Sequence, residues 1–382
     1  MSKAKEQEST IDTAACPRFS ESNTAFNALS RDLGVNWQDL FYEARISLAE
    51  TGKASRQEPL DQPDDALFHF AFSEGFDRIN VLTANWGSGK SNQGALRWGP
   101  PLELSEDMLA RRSSDPAKLT HEMKRVARHA GAKLIGVTEL DPCFVYSDIQ
   151  RNHCSPETPI RKPIRITEAD YPEETDEALI LPKSLRYVIV MAIPMDREMI
   201  RTAPSLLSEA ATSLGYSHAA IATLSVAAYI HALGYQAIPS LNGTALNIPL
   251  AVQAGLGEVG RNGLLITKEY GACVRLCKVF TDMPLLLDRP ADLGIHAYCE
   301  VCGECTNSCP VGAISKGTPS VEGNNECNRE GVVKWHVDCK KCLRYWITSG
   351  TSCSTCIASC PFTMGNKWWG GLPQWLIRRT SR

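Results

Sequence analysis

Cys299-x-x-Cys302-x-x-Cys305-x-x-x-Cys309-Pro310 is a run of thiols spaced for an iron–sulfur cubane, and Cys353-x-x-Cys356-x-x-x-Cys360-Pro361 repeats its second half further on. Three closely spaced thiolates wrap three corners of a [4Fe–4S] cluster, and a fourth cysteine ahead of proline crosses to a second cluster. Zinc sites rarely use three cysteines two apart, then Cys-Pro, then the pattern again. A disulfide framework suits short secreted chains, whereas this chain has 382 residues and crowds most of its 15 cysteines into the last quarter. The chemistry expected of this region is electron transfer.

Under the crossing rule of two-cluster ferredoxins, Cys299, Cys302, Cys305 and Cys360 take one cluster. Cys309, Cys353 and Cys356 take the other, with one thiol from the segment between. Cys342 stands first for that place, and Cys339 and Cys327 are its rivals. The remaining cysteines, Cys16, Cys143, Cys154, Cys273 and Cys277, fit no ligand spacing and are read as ordinary residues.

The elements that must position this module are legible in outline. At 43% hydrophobic residues the chain can bury a substantial core. A net charge of -3 gives no basic field for a nucleic-acid backbone. No apolar run reaches the roughly twenty residues of a membrane span. The start, Met1 to Glu8, has neither an apolar signal core nor twin arginines, so the expected location is cytoplasmic. Residues 1 to about 30 are polar and expected to be loosely ordered, within an N-terminal region, 1–114, that is mixed in character. Asp115-Pro116 caps a helix running to about Ala130, and Gly131 ends it. Strands are expected at 133–138, 186–193, 264–266 and 274–280, with an alanine-rich helix over 204–233. Tyr235 to Ile238 is read as leading into a loop. Residues 115–285 therefore form an α/β domain, 286–365 the cluster module, and 366–382 an aromatic and basic tail. The tail is expected to pack over the module, with at most peripheral membrane contact.

Two motifs compete for attention. Gly255-Leu-Gly257-Glu-Val-Gly260 matches the dinucleotide fingerprint, but Pro249 to Ala254 reads as loop and Arg261-Asn262-Gly263 would break the helix that should follow. These glycines instead suggest a cofactor-binding loop, where backbone lies close to a bulky ligand. Ala84-Asn-Trp-Gly-Ser-Gly89-Lys90-Ser91 is similar to a phosphate-binding loop, yet Gln93-Gly94 and Pro100-Pro101 leave little helix, so a turn is expected.

Several blocks resemble the corrinoid iron–sulfur reductive dehalogenases. They are Gly215-Tyr216-Ser217-His218, Leu233-Gly234-Tyr235, Leu241-Asn242-Gly243 to Pro249, Gly255 to Gly263, and Val274-Arg275 to Asp282. The likeness covers about 120 to 365 and ends in the two cysteine motifs. It implies a nitroreductase-like corrinoid-binding layer followed by a bacterial two-[4Fe–4S] ferredoxin-like module, an α/β (α+β) architecture. It implies base-off cobalamin as cofactor, a small organohalide as substrate, and Tyr216, Asn242 and Arg275 as the catalytic set. By that resemblance reduced cobalt would attack or ligate the carbon-bound halogen, Tyr216 would protonate the carbon, and Asn242 would offer donors to the departing anion or to substrate. Arg275 beside the phenol favours the charge that proton loss leaves. None of the eight histidines follows an aspartate by two residues, so no Asp-x-His-x-x-Gly motif supplies a lower ligand. The alanines after Tyr216 (Ala219, Ala220, Ala222) are expected to let a flat macrocycle approach the helix. Neither a twin-arginine start nor a fused reductase is read here, which points to a separate low-potential donor, a ferredoxin or a reductase.

Two other functions are weighed. Epoxyqueuosine reductase shares these cofactors but acts on tRNA, and should show a basic face and an acidic proton donor. A plain electron carrier would leave residues 1–285 without a use.

Overall fold

The computed structural model describes residues 17–51, 113–151 and 160–363. The phosphate-loop-like segment, Cys16, Cys154 and the aromatic tail lie outside them.

Strand β6 (Tyr187–Pro194) is the centre of the fold. It pairs antiparallel with β1 (Leu134–Glu139) on one side and β10 (Val274–Thr281) on the other, and β10 pairs with the edge strand β7 (Ala237–Ser240). Helices and strands alternate along the chain, yet every pairing in this sheet is antiparallel. The reason lies in the faces. Val188, Val190 and Ala192 enter one core, and Ile189, Met191 and Ile193 enter the other. A strand buried on both faces reads as one apolar run whichever way its neighbours point.

One face of the sheet is covered by the helix Pro116–His129 and the long helix Leu206–Ala232. Asp115 accepts from Ala117 N at the start of the first, and Ser205 and Ser208 form a capping box at the start of the second. The other face carries the helix Asn247–Gln253 and residues of a second sheet in the order β2 (Asp148–Arg151), β3 (Ile160–Thr167), β5 (Leu179–Pro182), β4 (Glu173–Glu174), in which β3 runs parallel to β5, and β8 (Glu258–Val259) pairs with β9 (Leu265–Ile266) further along.

Three expectations change. Residues 25–33 are not loose but form the helix Ala25–Leu33, whose Phe26 stacks on Trp37 at 4.9 Å. Tyr235 to Ile238 leads into β7, where Pro239 is tolerated because the strand is an edge. Pro249 sits near the start of the Asn247–Gln253 helix, where its missing N–H is not needed, so helix rather than loop precedes Gly255.

Beyond β10 regular structure thins out. The helices Ile295–Val301, Glu304–Asn307, Cys339–Ser349 and Thr355–Ala358 are joined by isolated bridges such as Ile314 to Val337. Among the described residues no helix is long and apolar enough to cross a membrane.

Candidate functional site

Tyr216 lies in the middle of the long helix, Arg275 near the start of β10, and Asn242 just past the end of β7. Because β10 reaches beyond the last residue paired with β7, the chain leaving β7 folds over the exposed part of β10. That brings the three together. Asn242 Nδ2 donates to Tyr216 Oη at 3.0 Å. The Arg275 guanidinium lies 4.9 Å from the centre of the Tyr216 ring, a cation–π contact, and donates to Thr212 Oγ1 at 3.0 Å. Its Nε is buried with no hydrogen-bond partner among the described residues. The stem of Arg275 crosses the helix at Gly215, where a Cβ would come within 3.0 Å of Arg275 Cγ. Asn242 is exposed and Tyr216 half-buried, so hydroxyl and amide meet on an open side of the layer.

The alanines do not form a platform there. Ala219, Ala220 and Ala222 are wholly buried, and Ala219 and Ala222 belong to the core between helix and sheet. Small residues at these places allow the helix to lie close on β6 and β10.

The glycine loop also finds a different partner. A Cβ at Gly255 (φ +75°) would lie 2.3 Å from Arg289 O, one at Gly257 2.2 Å from Ile266 O, and one at Gly260 2.7 Å from Ile266 Cγ1. The close approach expected of these glycines is thus made by the chain to itself. Between them the loop grips the cysteine module. Glu258 accepts from His296 N at 3.0 Å and from Leu293 N, at the start of the Ile295–Val301 helix. Arg261, 6% exposed, donates to Cys299 O, Glu300 O, Ser315 O and Gly317 O and stacks 4.7 Å over Trp335. Sequence reasoning missed this role for Glu258 and Arg261. An arginine and a glutamate inside a glycine loop were its signal.

The cysteines fall into two groups. Cys299, Cys302, Cys305 and Cys360 line one cavity with Gly260, Arg261 and Tyr298, around about 310 Å³ of atom-free space that is partly open to solvent. Burial pushes Cys299 up to about 12, and the neighbouring thiols of Cys360, Cys305 and Cys302 add to it. Cys356 is raised by burial and then by Cys342, Cys353, Cys305 and Cys309. Burial, followed by Cys353, Cys339 and Cys309, pushes Cys342 up to about 12. Cys309, Cys342, Cys353 and Cys356 therefore lie near one another, while the neighbouring thiol that raises Cys327 is Cys339. Ala313 N donates to Cys309 Sγ at 3.3 Å.

Among the described residues no three His, Cys, Asp or Glu side chains could hold a metal ion. A single zinc draws thiolates to about 2.3 Å from one centre. A cubane spreads its four thiolates over separate irons. The four thiols of Cys299, Cys302, Cys305 and Cys360 around open space fit a cluster better than a single ion. Cys353 and the following Ser354 hold φ of 59° and 60°, a strained turn that starts the Thr355–Ala358 helix just before Cys356.

Residues 147–285, which contain Tyr216, Asn242 and Arg275, match the family model described as reductive dehalogenase subunit. The tetrachloroethene reductive dehalogenase of Sulfurospirillum multivorans is 40% identical over 300 residues, 77% of this chain and 59% of that protein. That of Desulfitobacterium hafniense is 35% identical over 272 residues, 64% of this chain and 48% of its own length. The chain thus spans about half the length of these curated relatives. Among solved structures, a catabolic reductive dehalogenase superposes with a TM-score of 0.63 at 22% identity, covering 92% of this chain and 42% of the other. A second reductive dehalogenase structure reaches 0.65, also at 22% identity, over 96% and 46%. At that identity the likeness speaks for the fold. An epoxyqueuosine reductase of Lactococcus garvieae matches only 72 residues, 19% of each chain.

Proposed function

Because this chain belongs to the reductive dehalogenase family, we propose that it replaces a carbon-bound halogen of a small organohalide by hydrogen. Two electrons and one proton enter, and the molecule with hydrogen in place of that halogen leaves together with a halide ion. The observation that carries this reading is the Tyr216–Asn242–Arg275 cluster inside the matched segment.

Cobalamin, on which the family depends, supplies when bound the strongly reducing metal chemistry at the halogen. Cys299, Cys302, Cys305 and Cys360 would hold one [4Fe–4S] cluster and Cys309, Cys342, Cys353 and Cys356 a second, providing one-electron chemistry. The protein's own work is placement and protonation. Tyr216 holds a proton beside the open side of the layer and gives it to the carbon. Arg275, stacked on the ring, stabilises the negative charge left on the phenol. Asn242 holds the phenol oxygen from the side and leaves the O–H bond free to point at substrate. The Gly255–Gly260 loop is engaged in gripping the cysteine module, which leaves no dinucleotide role for it, and we assign the electrons to a separate low-potential donor.

Tyr216→Phe keeps the ring and removes the proton. In the cobalamin-loaded enzyme its visible absorption should stay near that of the wild type, while halide release from a chloroethene or halophenol falls by about 10²–10⁴-fold. Undiminished release would sink the assigned role. Reduction of epoxyqueuosine in tRNA, without any halide release, would favour the other cobalamin reaction.

A further inference from the structure

Three residues after Arg275, on the opposite face of β10, stands Lys278, wholly buried. Its ammonium lies 5.8 Å from the centre of the Phe280 ring and donates to Leu241 O at 3.0 Å and Asn247 Oδ1 at 2.7 Å. Both acceptors are uncharged. Burial lowers its pKa to about 7, with the neighbouring Cys277 thiol and then Glu21 acting in the other direction. Among the described residues no carboxylate bonds to Lys278, which makes its burial costly, and it opens a chain of side-chain hydrogen bonds that ends on the candidate acid.

We propose that Lys278 and Asn247 are positioning residues that set the direction of the Tyr216 hydrogen bond, so that the phenol oxygen accepts and its proton is kept for substrate. The inference rests on the role given to Tyr216 above. Lys278 presents donors, which makes the atom of Asn247 facing it the carbonyl oxygen. The other end of that amide lies 2.9 Å from Leu241 O and 3.4 Å from Leu276 O, both acceptors only, which demands Nδ2 there. The orientation of Asn247 is therefore dictated by its surroundings. Its Nδ2 also donates to Asn242 Oδ1 at 3.2 Å. With Oδ1 of Asn242 occupied, only its Nδ2 remains for Tyr216 Oη. The opposite polarity would turn Asn242 Oδ1 towards Tyr216. That oxygen would then take the phenolic proton as a hydrogen bond and hold it away from the carbon. The chain passes from one face of the sheet to the other around the end of β7, through the loop that carries Asn242.

The test uses the cobalamin-loaded enzyme and two variants. Lys278→Met removes the donor and keeps the bulk. Asn247→Asp keeps an acceptor for Lys278 but has no N–H for Asn242, so the Asn242 amide should reverse. The tyrosine Raman doublet, taken as the difference from Tyr216→Phe, reports whether the phenol oxygen accepts or the hydroxyl donates. Both variants should fold and keep iron and corrinoid absorption; Asn247→Asp should move the doublet fully from acceptor to donor, and Lys278→Met, where Leu241 O and Leu276 O still draw the Asn247 amide nitrogen, should move it part of the way. Halide-release kcat should fall about tenfold at unchanged KM, with a larger solvent deuterium isotope effect. A folded variant with the wild-type doublet and wild-type kcat overturns the proposal. If Lys278→Met fails to fold, Asn247→Asp alone decides. Should the doublet move while Tyr216→Phe still releases halide at full rate, the hydrogen-bond polarity stands and the catalytic reading of Tyr216 falls instead.

Discussion

The antiparallel layer and the cysteine module are held together by different means. The layer buries two apolar cores, one on each face of β6 and β10, and its backbone groups are paired in long ladders. The module offers helices of four to eleven residues, isolated bridges and a core that borrows Met195, Ile200 and Ala211 from the layer. Helices this short are marginal on their own, so the contacts that grip the module carry weight, and the clusters proposed for it would add to them. Chemistry divides along the same line. The proposed proton donor and its partners belong to the layer, on a helix (Tyr216), a strand (Arg275) and the loop after β7 (Asn242), and the two groups of thiols belong to the module's short helices and the turns between them.

Removing iron should break this contrast most visibly. Stripping the purified holoprotein with a chelator should abolish hydrogen-exchange protection in Ile295–Val301 and Cys339–Ser349, while β6 and β10 stay protected. Equal loss in both regions would show that the module is not separately metal-dependent. Reloading should weaken as pH falls, because thiols as high as those of Cys299 and Cys342 must give up protons to bind iron.

A smaller effect is expected at the grip itself. Arg261→Met leaves four carbonyl oxygens without their charged donor and should destabilise the module by about 3 kcal/mol, seen as faster iron loss to chelator with the layer's melting unchanged. Iron retention as in the wild type would assign the module's attachment to its apolar contacts instead.

The smallest effect has the opposite sign and lies in the layer. The pKa of Lys278 falls from 10.5 to about 7 on folding, so between these values the unfolded chain binds more protons and stability rises with pH. Its burial penalty is fully present below pH 7 and fades towards pH 10. Lys278→Met should therefore be more stable than wild type at pH 7 by about 1–3 kcal/mol, after the loss of two hydrogen bonds, and the gap should close as pH rises. Parallel stability curves across that range would mean that Lys278 is not buried as a titrating group.

Local signals were legible because local physics produces them. Asp115-Pro116 and Gly131 bracket a helix through its own orphan amides and a backbone turn (φ +105°), and both appear at the ends expected. The apolar run of β6 announced a buried strand but not its antiparallel partners, since burial on both faces leaves the same run either way. The glycines of 255–260 announced close approach and not its partner. Lys278 in Val-Arg-Leu-Cys-Lys-Val-Phe was a charge in an apolar strand, a visible anomaly whose use depends on a loop thirty-odd residues earlier, roughly the span over which β7 returns to β10.

By itself the amino-acid order determined the chemistry available: which thiols sit at cubane spacing, which helices are capped, and which phenol, amide and guanidinium resemble a dehalogenase centre. The thiols and caps are matters of residue type and short separation, and the phenol, amide and guanidinium come from the resemblance of whole blocks. The tertiary structure decided who meets whom. Only the register of β7 on β10 puts Asn242 on Tyr216, only the fold of the module groups Cys342 with Cys309, Cys353 and Cys356, and only the crossing of the sheet's end links Lys278 to the phenol. Such meetings arise from pairing across long loops, where periodicity names the face of a residue and leaves its partner open.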